Sequence, residues 1–222
     1  MALGPDRARL AREALAGYPH GPDAPLVARD AALARASSAR SLVLVEGVSD
    51  QVAVETLAGR LSLDLAGAGV VVLPMGGAHA VASHLLLFGP HGADLSLGGL
   101  CDEAEEEYFR RGLAVAGVGE PQSRAEMEAL GFFVCVEDLE DELIRASGRE
   151  SIEVMLDAQG DRGSFQTLQK QAAWRDEPFE AQMRRFLSAG ARRKSRYAGL
   201  LAGALPLERM PEPLLGVLAR AE

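Results

Sequence analysis

The sequence predicts an α/β fold, a central and mainly parallel sheet flanked by helices with helical additions at both ends. Three observations predict it. Apolar runs of strand length recur at 42–45 (LVLV), 69–73 (GVVVL), 95–101 (LSLGGLC) and 131–136 (GFFVCV), as expected of strands buried on both faces. Each run ends at a turn that leads into residues of helical period. The segments before residue 40 and after residue 148 are helical in composition and hold no further run of this kind. The organisation expected is a helical arm over 1–39, a core over 40–148 and a helical portion over 149–222 that completes the site.

Composition narrows the function. Of 222 residues, 48% are hydrophobic and 25% charged, the balance of a soluble globular protein. The 5% aromatic content offers no stacking surface for single strands. A formal net charge of −9 excludes a protein that coats nucleic acid through its overall field, but leaves room for a local basic groove. Cys101 and Cys135 lie in apolar strand-like segments without a CxxC spacing, which predicts two buried thiols in a reducing cytoplasm. No signal-peptide core and no run of roughly twenty apolar residues is present, so a cytoplasmic location without a membrane partner is expected.

In chain order, 6–16 (DRARLAREALA) reads as an amphipathic helix with Leu10, Ala11, Ala14 and Leu15 on one stripe. The PHGPDAP stretch breaks it, and 26–39 resumes a helical composition. This arm packs on the core or docks a partner. The stretch 41–61 (SLVLVEGVSDQVAVETLAGRL) then runs a buried strand into an acidic turn and a helix. Gly47 supplies backbone freedom, Ser49 or Asp50 is the expected N-cap, and Val54, Leu57, Ala58 and Leu61 repeat at helical spacing. Glu46 is thereby placed at the carboxyl end of a strand with Asp50 about one helical turn away, where open α/β sheets bind ligands. Two carboxylates beside helix N–H groups suggest a divalent metal. For Asp50 the helix dipole alone is a sufficient reason. Glu46 directly follows a buried strand, so it must reach a polar rim or be paired.

The second run ends at Pro74 and the pair Gly76 and Gly77. No GxGxxG follows it, so a tight turn is expected there rather than a phosphate cradle. His79, His84 and His91 have neither HxxxH nor HxH spacing and do not predict zinc. Asp102 marks the end of the third run, where it either caps the following helix or joins Glu46. The fourth run leads into 137–148 (EDLEDELIRASG), an acidic helix start. Three strand-to-helix junctions thus offer carboxylates to one edge of the sheet. Beyond 151 the chain reads as helical with breaks at Gly160 and Gly163, and Trp174 reads as a packing residue. Arg184, Arg185, Arg192, Arg193, Lys194 and Arg196 form the one dense basic group, either a phosphate contact or a solvated face. The string GARRKS lacks the glycine before lysine and the preceding strand of an ATP loop. A final helix is expected after Pro211 and Pro213.

The segment VEGVSDQVAV resembles the first signature of the Toprim domain, the metal-dependent module of topoisomerases, primases and recombination proteins, and most resembles that of the OLD (overcoming lysogenization defect) nucleases. The resemblance implies a Toprim-like, Rossmann-like sheet and makes Glu46 and Asp50 ligands of one or two Mg2+ or Mn2+ ions, Glu46 also serving catalysis. Asp102 matches the first aspartate of the family's DxD. The second is replaced by Ala104, which leaves Glu103 or Glu105 as candidate substitutes. Within LED, Glu140 is implied as a further ligand or water-orienting acid, with Asp138 as its competitor. RRKSRYAGLLAGAL resembles the segment whose lysine approaches the metal, which makes Lys194 the group that stabilises charge on the scissile phosphate. Arg184, Arg185, Arg192, Arg193 and Arg196 would hold nucleic acid. The function implied is metal-dependent hydrolysis of nucleic-acid phosphodiesters, DNA before RNA. A primase-like nucleotidyl transferase and a non-catalytic DNA-binding or regulatory module are the rivals, the latter because of Ala104. Family members commonly carry an ATPase domain ahead of Toprim, which implies a separately encoded ATPase as partner here; a homo-oligomer stays open.

Overall fold

The computed structural model describes residue 9 and residues 13–19 and 21–220; most of the helix expected over 6–16 lies outside them. Four strands, β1 (Ser41–Val45), β2 (Val70–Pro74), β3 (Ser96–Asp102) and β4 (Phe132–Cys135), form one sheet in the order β2-β1-β3-β4. All the pairings are parallel. The expected α/β class with a parallel sheet is therefore what the chain adopts, and the four strands fall on the four apolar runs.

Side chains alternate cleanly between two packed layers. Leu42, Leu44, Val71, Leu73, Cys101 and Val134 face one way, where α1 (Ala24–Ala36), α3 (Val81–Phe88), α4 (Glu106–Val115) and α5 (Arg124–Ala129) cover the sheet. Val43, Val45, Val70, Val72, Leu100 and Cys135 face the other. There α2 (Val48–Arg60), α6 (Leu139–Ser147), α7 (Arg149–Ala158), α8 (Arg162–Gln169), α9 (Phe179–Ser188), α10 (Ala191–Ala204) and α11 (Glu212–Ala219) complete the core. Burial on both faces is why the strands carry uninterrupted aliphatics instead of an alternating pattern. Cys101 and Cys135 are free, buried thiols on opposite faces. No described helix is long and apolar enough to cross a membrane.

Two glycine positions set distances that the site depends on. At Gly99 a side chain would meet the Leu44 carbonyl at 2.7 Å and the Phe132 ring at 3.1 Å, so glycine lets β3 lie flush between β1 and β4. At Gly199 on α10 a Cβ would stand 2.9 Å from Val52 of α2, so those helices approach closely. Arg60 clasps the far end of α10, donating to the Ala202 and Leu205 carbonyls at 2.7 and 2.6 Å. Gly76 and Gly77 have φ of 81° and 122°, and their N–H groups donate to the Glu46 carbonyl at 3.0 and 3.2 Å. That turn fastens the end of β1, and these amides are engaged by the backbone.

Several expectations are corrected. The N-cap of α2 is Gly47, in extended conformation, and not Ser49 or Asp50. Gly163 lies inside α8 and breaks nothing. Trp174 packs against the core, with the Arg185 guanidinium over its ring at 5.9 Å. Arg196 is buried, its guanidinium on the carboxylate of the fully buried Asp161. The Tyr197 hydroxyl donates to the same Asp161 oxygen at 2.9 Å. Arg196 therefore ties α10 to the turn between α7 and α8, and is withdrawn from the surface group expected to meet phosphate.

Removing one partner of a buried ion pair strands the other charge in a medium that cannot solvate it. Asp161→Ala is expected to cost about 3–5 kcal/mol, read as a lower urea midpoint. A loss below about 1 kcal/mol, the worth of an exposed pair, would show that this network does not hold the helical layer.

Candidate functional site

The sheet order makes the carboxyl ends of β1 and β3 a topological switch point, because β1 connects onward to β2 on one side and has β3 on the other. Glu46 is the first residue beyond β1, and Asp102 is the last residue of β3. Asp50 is the third residue of α2, buried at 8% exposure, and its Oδ2 accepts the Gly47 N–H at 2.8 Å. This bond orients the side chain back over the turn toward Glu46. At the end of β4, Asp138 caps α6 by accepting the Asp141 N–H at 2.7 Å. Asp102 makes no such capping bond. Glu140, one residue into α6, is 3% exposed.

From the helical layer, Lys194 in the first turn of α10 reaches into this group, its Nζ 3.0 Å from Glu140 Oε2. Glu140 Oε1 is buried and accepts no hydrogen bond. A cleft of about 310 Å³ opens here, lined by Asp138, Glu140, Arg184, Ala191 and Lys194 among others. Arg184 of α9 pairs with Asp138 at 3.0 Å and with Glu137 at 3.2 Å. Its expected contact with nucleic acid is thus at least shared with these acids. Arg193 donates to the Phe186 carbonyl at 2.9 Å and lies over the Phe186 ring at 4.1 Å, whereas Arg185 and Arg192 are exposed.

The two glutamates offered in place of the second DxD aspartate separate. The chain after Asp102 winds as a 3-10 turn over Glu103–Glu105. The Glu105 carboxylate is near enough to Glu46 to raise it, and its Oε2 is buried without a hydrogen bond. Glu103 is exposed and pairs with Arg124. Arg124 went unnoticed in the sequence because it stands alone, 21 residues from its partner.

The electrostatics report crowded negative charge. Burial raises the Asp102 carboxyl from 3.8 to about 8, helped by Asp50, Glu46, Asp138 and Glu140. Burial likewise raises Glu46 and Glu140, and Lys194 opposes both shifts. Asp50, wholly buried, is raised in the same way, with Lys194 and the Gly47 N–H opposing. Burial works against the Lys194 charge, yet Glu140, Asp50 and Asp102 outweigh it and raise its pKa.

Among the described residues, no three His, Cys, Asp or Glu side chains are spaced as ligands to one ion. Their chemistry nonetheless fits a hard divalent cation: carboxylate oxygens only, negative charge in excess of the single ammonium, and two buried oxygens without a partner. Glu46, Asp50, Asp102 and Glu140 are the residues that would hold it, with Glu105 beside them.

A carboxyl raised on folding stabilises the fold at low pH. For Asp102 the contribution is fully present below about pH 4 and is lost as pH rises toward 8. In chelator-treated protein, Tm is expected to fall between pH 5 and pH 8.5, and Asp102→Asn to flatten that fall, each 1 kcal/mol reading as about 2–4 °C. Equal slopes in the two proteins would remove Asp102 from the buried acidic group.

The comparisons with known proteins bear on the fold and on residues 39–93. Residues 39–93, from the approach to β1 through the end of α3, match the family model for the Overcoming lysogenization defect protein-like TOPRIM domain. No curated protein sequence matches the chain. Among solved structures, the C-terminal region of the Xanthomonas campestris pv. campestris OLD protein superimposes with a TM-score of 0.65 at 24% identity, covering 82% of this chain and 94% of that one. The C-terminal region of the Burkholderia pseudomallei OLD protein gives 0.62 at 22% identity, covering 82% and 97%. Residues 39–93 match the OLD-like Toprim family model, and the chain has the fold of the C-terminal regions of OLD proteins.

Proposed function

We propose that this chain hydrolyses nucleic-acid phosphodiester bonds, DNA before RNA, with Mg2+ or Mn2+ held at the carboxyl ends of β1 and β3. The observation that supports the reading is that Lys194 pairs with Glu140 and bears electrostatically on Glu46, Asp50 and Asp102, acids from three strand-to-helix junctions. Toprim domains generally bind divalent cations, and the match over 39–93 covers the first two of these acids.

In this reading Glu46 and Asp102 would hold a divalent cation, which when bound would supply water activation and offset negative charge on the phosphate. Glu140 holds Lys194 at the rim of the cleft, from which the ammonium meets a non-bridging or leaving oxygen of the phosphate. Arg192 and Arg185, exposed on neighbouring helices, bind flanking phosphates by charge. Burial of the acids restricts water to the cleft and strengthens each of these interactions. The non-catalytic alternative draws on Ala104 and on the absence, among the described residues, of three ligand-spaced acids.

Purified protein with Mn2+ is expected to nick supercoiled plasmid, and Glu46→Ala or Asp102→Ala to abolish nicking while circular dichroism stays unchanged. Metal-dependent binding without nicking would favour the regulatory module, and incorporation of labelled nucleotide the transferase. Lys194→Ala is expected to lower kcat roughly 100-fold and to change DNA affinity far less, because it is one phosphate contact among several. The opposite split would make Lys194 a binding residue only.

A further inference from the structure

The turn from β4 into α6 carries five acids within six residues, Glu137, Asp138, Glu140, Asp141 and Glu142. Like charges so close repel one another, and nothing in their spacing presents one of them to a ligand. Two arginines sort them. Arg145 of α6 pairs with Asp141 at 2.6 Å and with Glu142 at 3.3 Å. Arg184, reaching from α9, pairs with Asp138 at 3.0 Å and with Glu137 at 3.2 Å. Glu140 is left to Lys194, which its Oε2 meets at 3.0 Å, and its buried Oε1 has no hydrogen bond.

We infer that Arg184 is a positioning residue and not a phosphate contact, a brace from α9 that keeps Asp138 on the helix cap and leaves Glu140 to face a cation. The inference rests on the metal-site reading above and separates two acids that the sequence left in competition. Asp138 has a partner on each oxygen. Its Oδ1 accepts the Asp141 N–H at 2.7 Å, and its Oδ2 receives the Arg184 guanidinium. Glu142 holds the turn from the other side, its Oε1 accepting the Val136 N–H at 2.9 Å. Between these anchors Glu137 takes a φ of 64°, a left-handed conformation that a residue with a Cβ holds only when its surroundings impose it. With the cap so fixed, the second residue of α6 is Glu140, directed at Lys194. Arg184 lines the cleft beside Lys194, which is why charge alone suggests a phosphate contact. Both of its terminal nitrogens are on carboxylates, however, and one guanidinium against two acids leaves a negative balance that repels phosphate.

A phosphate contact and a brace respond differently to removal. Each phosphate contact contributes about 0.9 to the slope of log affinity against log salt. For duplex DNA bound in chelator, where nothing is cleaved, Arg184→Ala is expected to keep the wild-type slope, and Arg192→Ala to lower it by about 0.9. A slope lowered as much by Arg184→Ala would make Arg184 a phosphate contact and overturn the brace. Calorimetric titration with Mn2+ is expected to show about 10-fold weaker binding for Arg184→Ala, the scale of loss when groups that orient ligands are removed. Asp138→Asn is expected to match it, and the double variant to lose no more than either, because both act through one contact. Losses that multiply in the double variant, or wild-type affinity in Arg184→Ala, would overturn the brace. So would a loss in Asp138→Asn equal to that in Glu140→Gln, which would make Asp138 a ligand.

The brace also has a readout that needs neither metal nor DNA. Hydrogen exchange at the Asp141 amide is expected to quicken about 5-fold in Arg184→Ala, the scale of a weakened helix cap, at unchanged circular dichroism. A wild type that fails to bind Mn2+ defeats the metal-site reading, and one that binds no DNA defeats the nucleic-acid reading. An unaltered Asp141 amide in Arg184→Ala defeats the brace in either case.

Discussion

The ion pair between Lys194 and Glu140 is the interaction on which the arrangement of the site depends. Among the described residues, Lys194 is the cation that bears on Glu46, Asp50, Asp102 and Glu140, with Arg184 paired to Asp138 in the lining of the same cleft. At an effective dielectric near 20, two like charges about 6 Å apart repel by about 3 kcal/mol. That is enough to move a carboxyl by about two pH units, so charge neighbours and burial together readily account for an Asp102 that titrates near 8. The fold therefore carries an electrostatic cost at this edge, and only something cationic relieves it. Such a cost, concentrated where strand ends meet helix starts, is what the proposed metal site would draw on.

The rest of the molecule explains how that cost is tolerated. The sheet beneath the acids is aliphatic on both faces and contributes burial without polar complication. Gly99 lets β3 close up to β1, which brings Asp102 beside Glu46. Gly199 lets α10 close down on α2, which brings Lys194 over Asp50. Arg60 at one end of α10 and the Arg196–Asp161 pair on its buried face then fix that helix along its length. The lysine is thus supplied by the helical layer, the acids by the strand-to-helix junctions, and their approach by two small residues that carry no charge at all.

How much of this was legible in the sequence follows from the range of each interaction. The strand, Glu46 and Asp50 lie within ten residues, so local pattern suffices: an aliphatic run, a glycine, an acid one turn into a helix. Asp102 and Glu140 could be placed at the same edge because parallel strands all end there. Arg196 could not, because a run of basic residues does not disclose which member faces Asp161, 35 positions earlier. Arg124 was silent for the same reason, as its role exists only through Glu103 and Glu106. Arg184 was noticed for its charge, yet its acidic partners at Glu137 and Asp138 are set by how α9 packs on α6.

The match to the family model stops at residue 93, while the fold likeness covers 82% of the chain. Physical chemistry gives a reason for that difference. A core accepts many aliphatic exchanges provided volume and pattern are kept, so the sheet and its helices persist while sequence drifts. A junction that must present two acids from one turn has fewer solutions, which keeps 39–93 recognisable. The third strand shows a further solution. In an extended DxD the two aspartates share a side because strands alternate with a period of two. Here the chain leaves β3 at Asp102 and winds at once into a 3-10 turn, whose period is three. Glu105, at the end of that turn, has a buried Oε2 without a hydrogen bond and bears electrostatically on Glu46, whereas the exposed Glu103 pairs with Arg124.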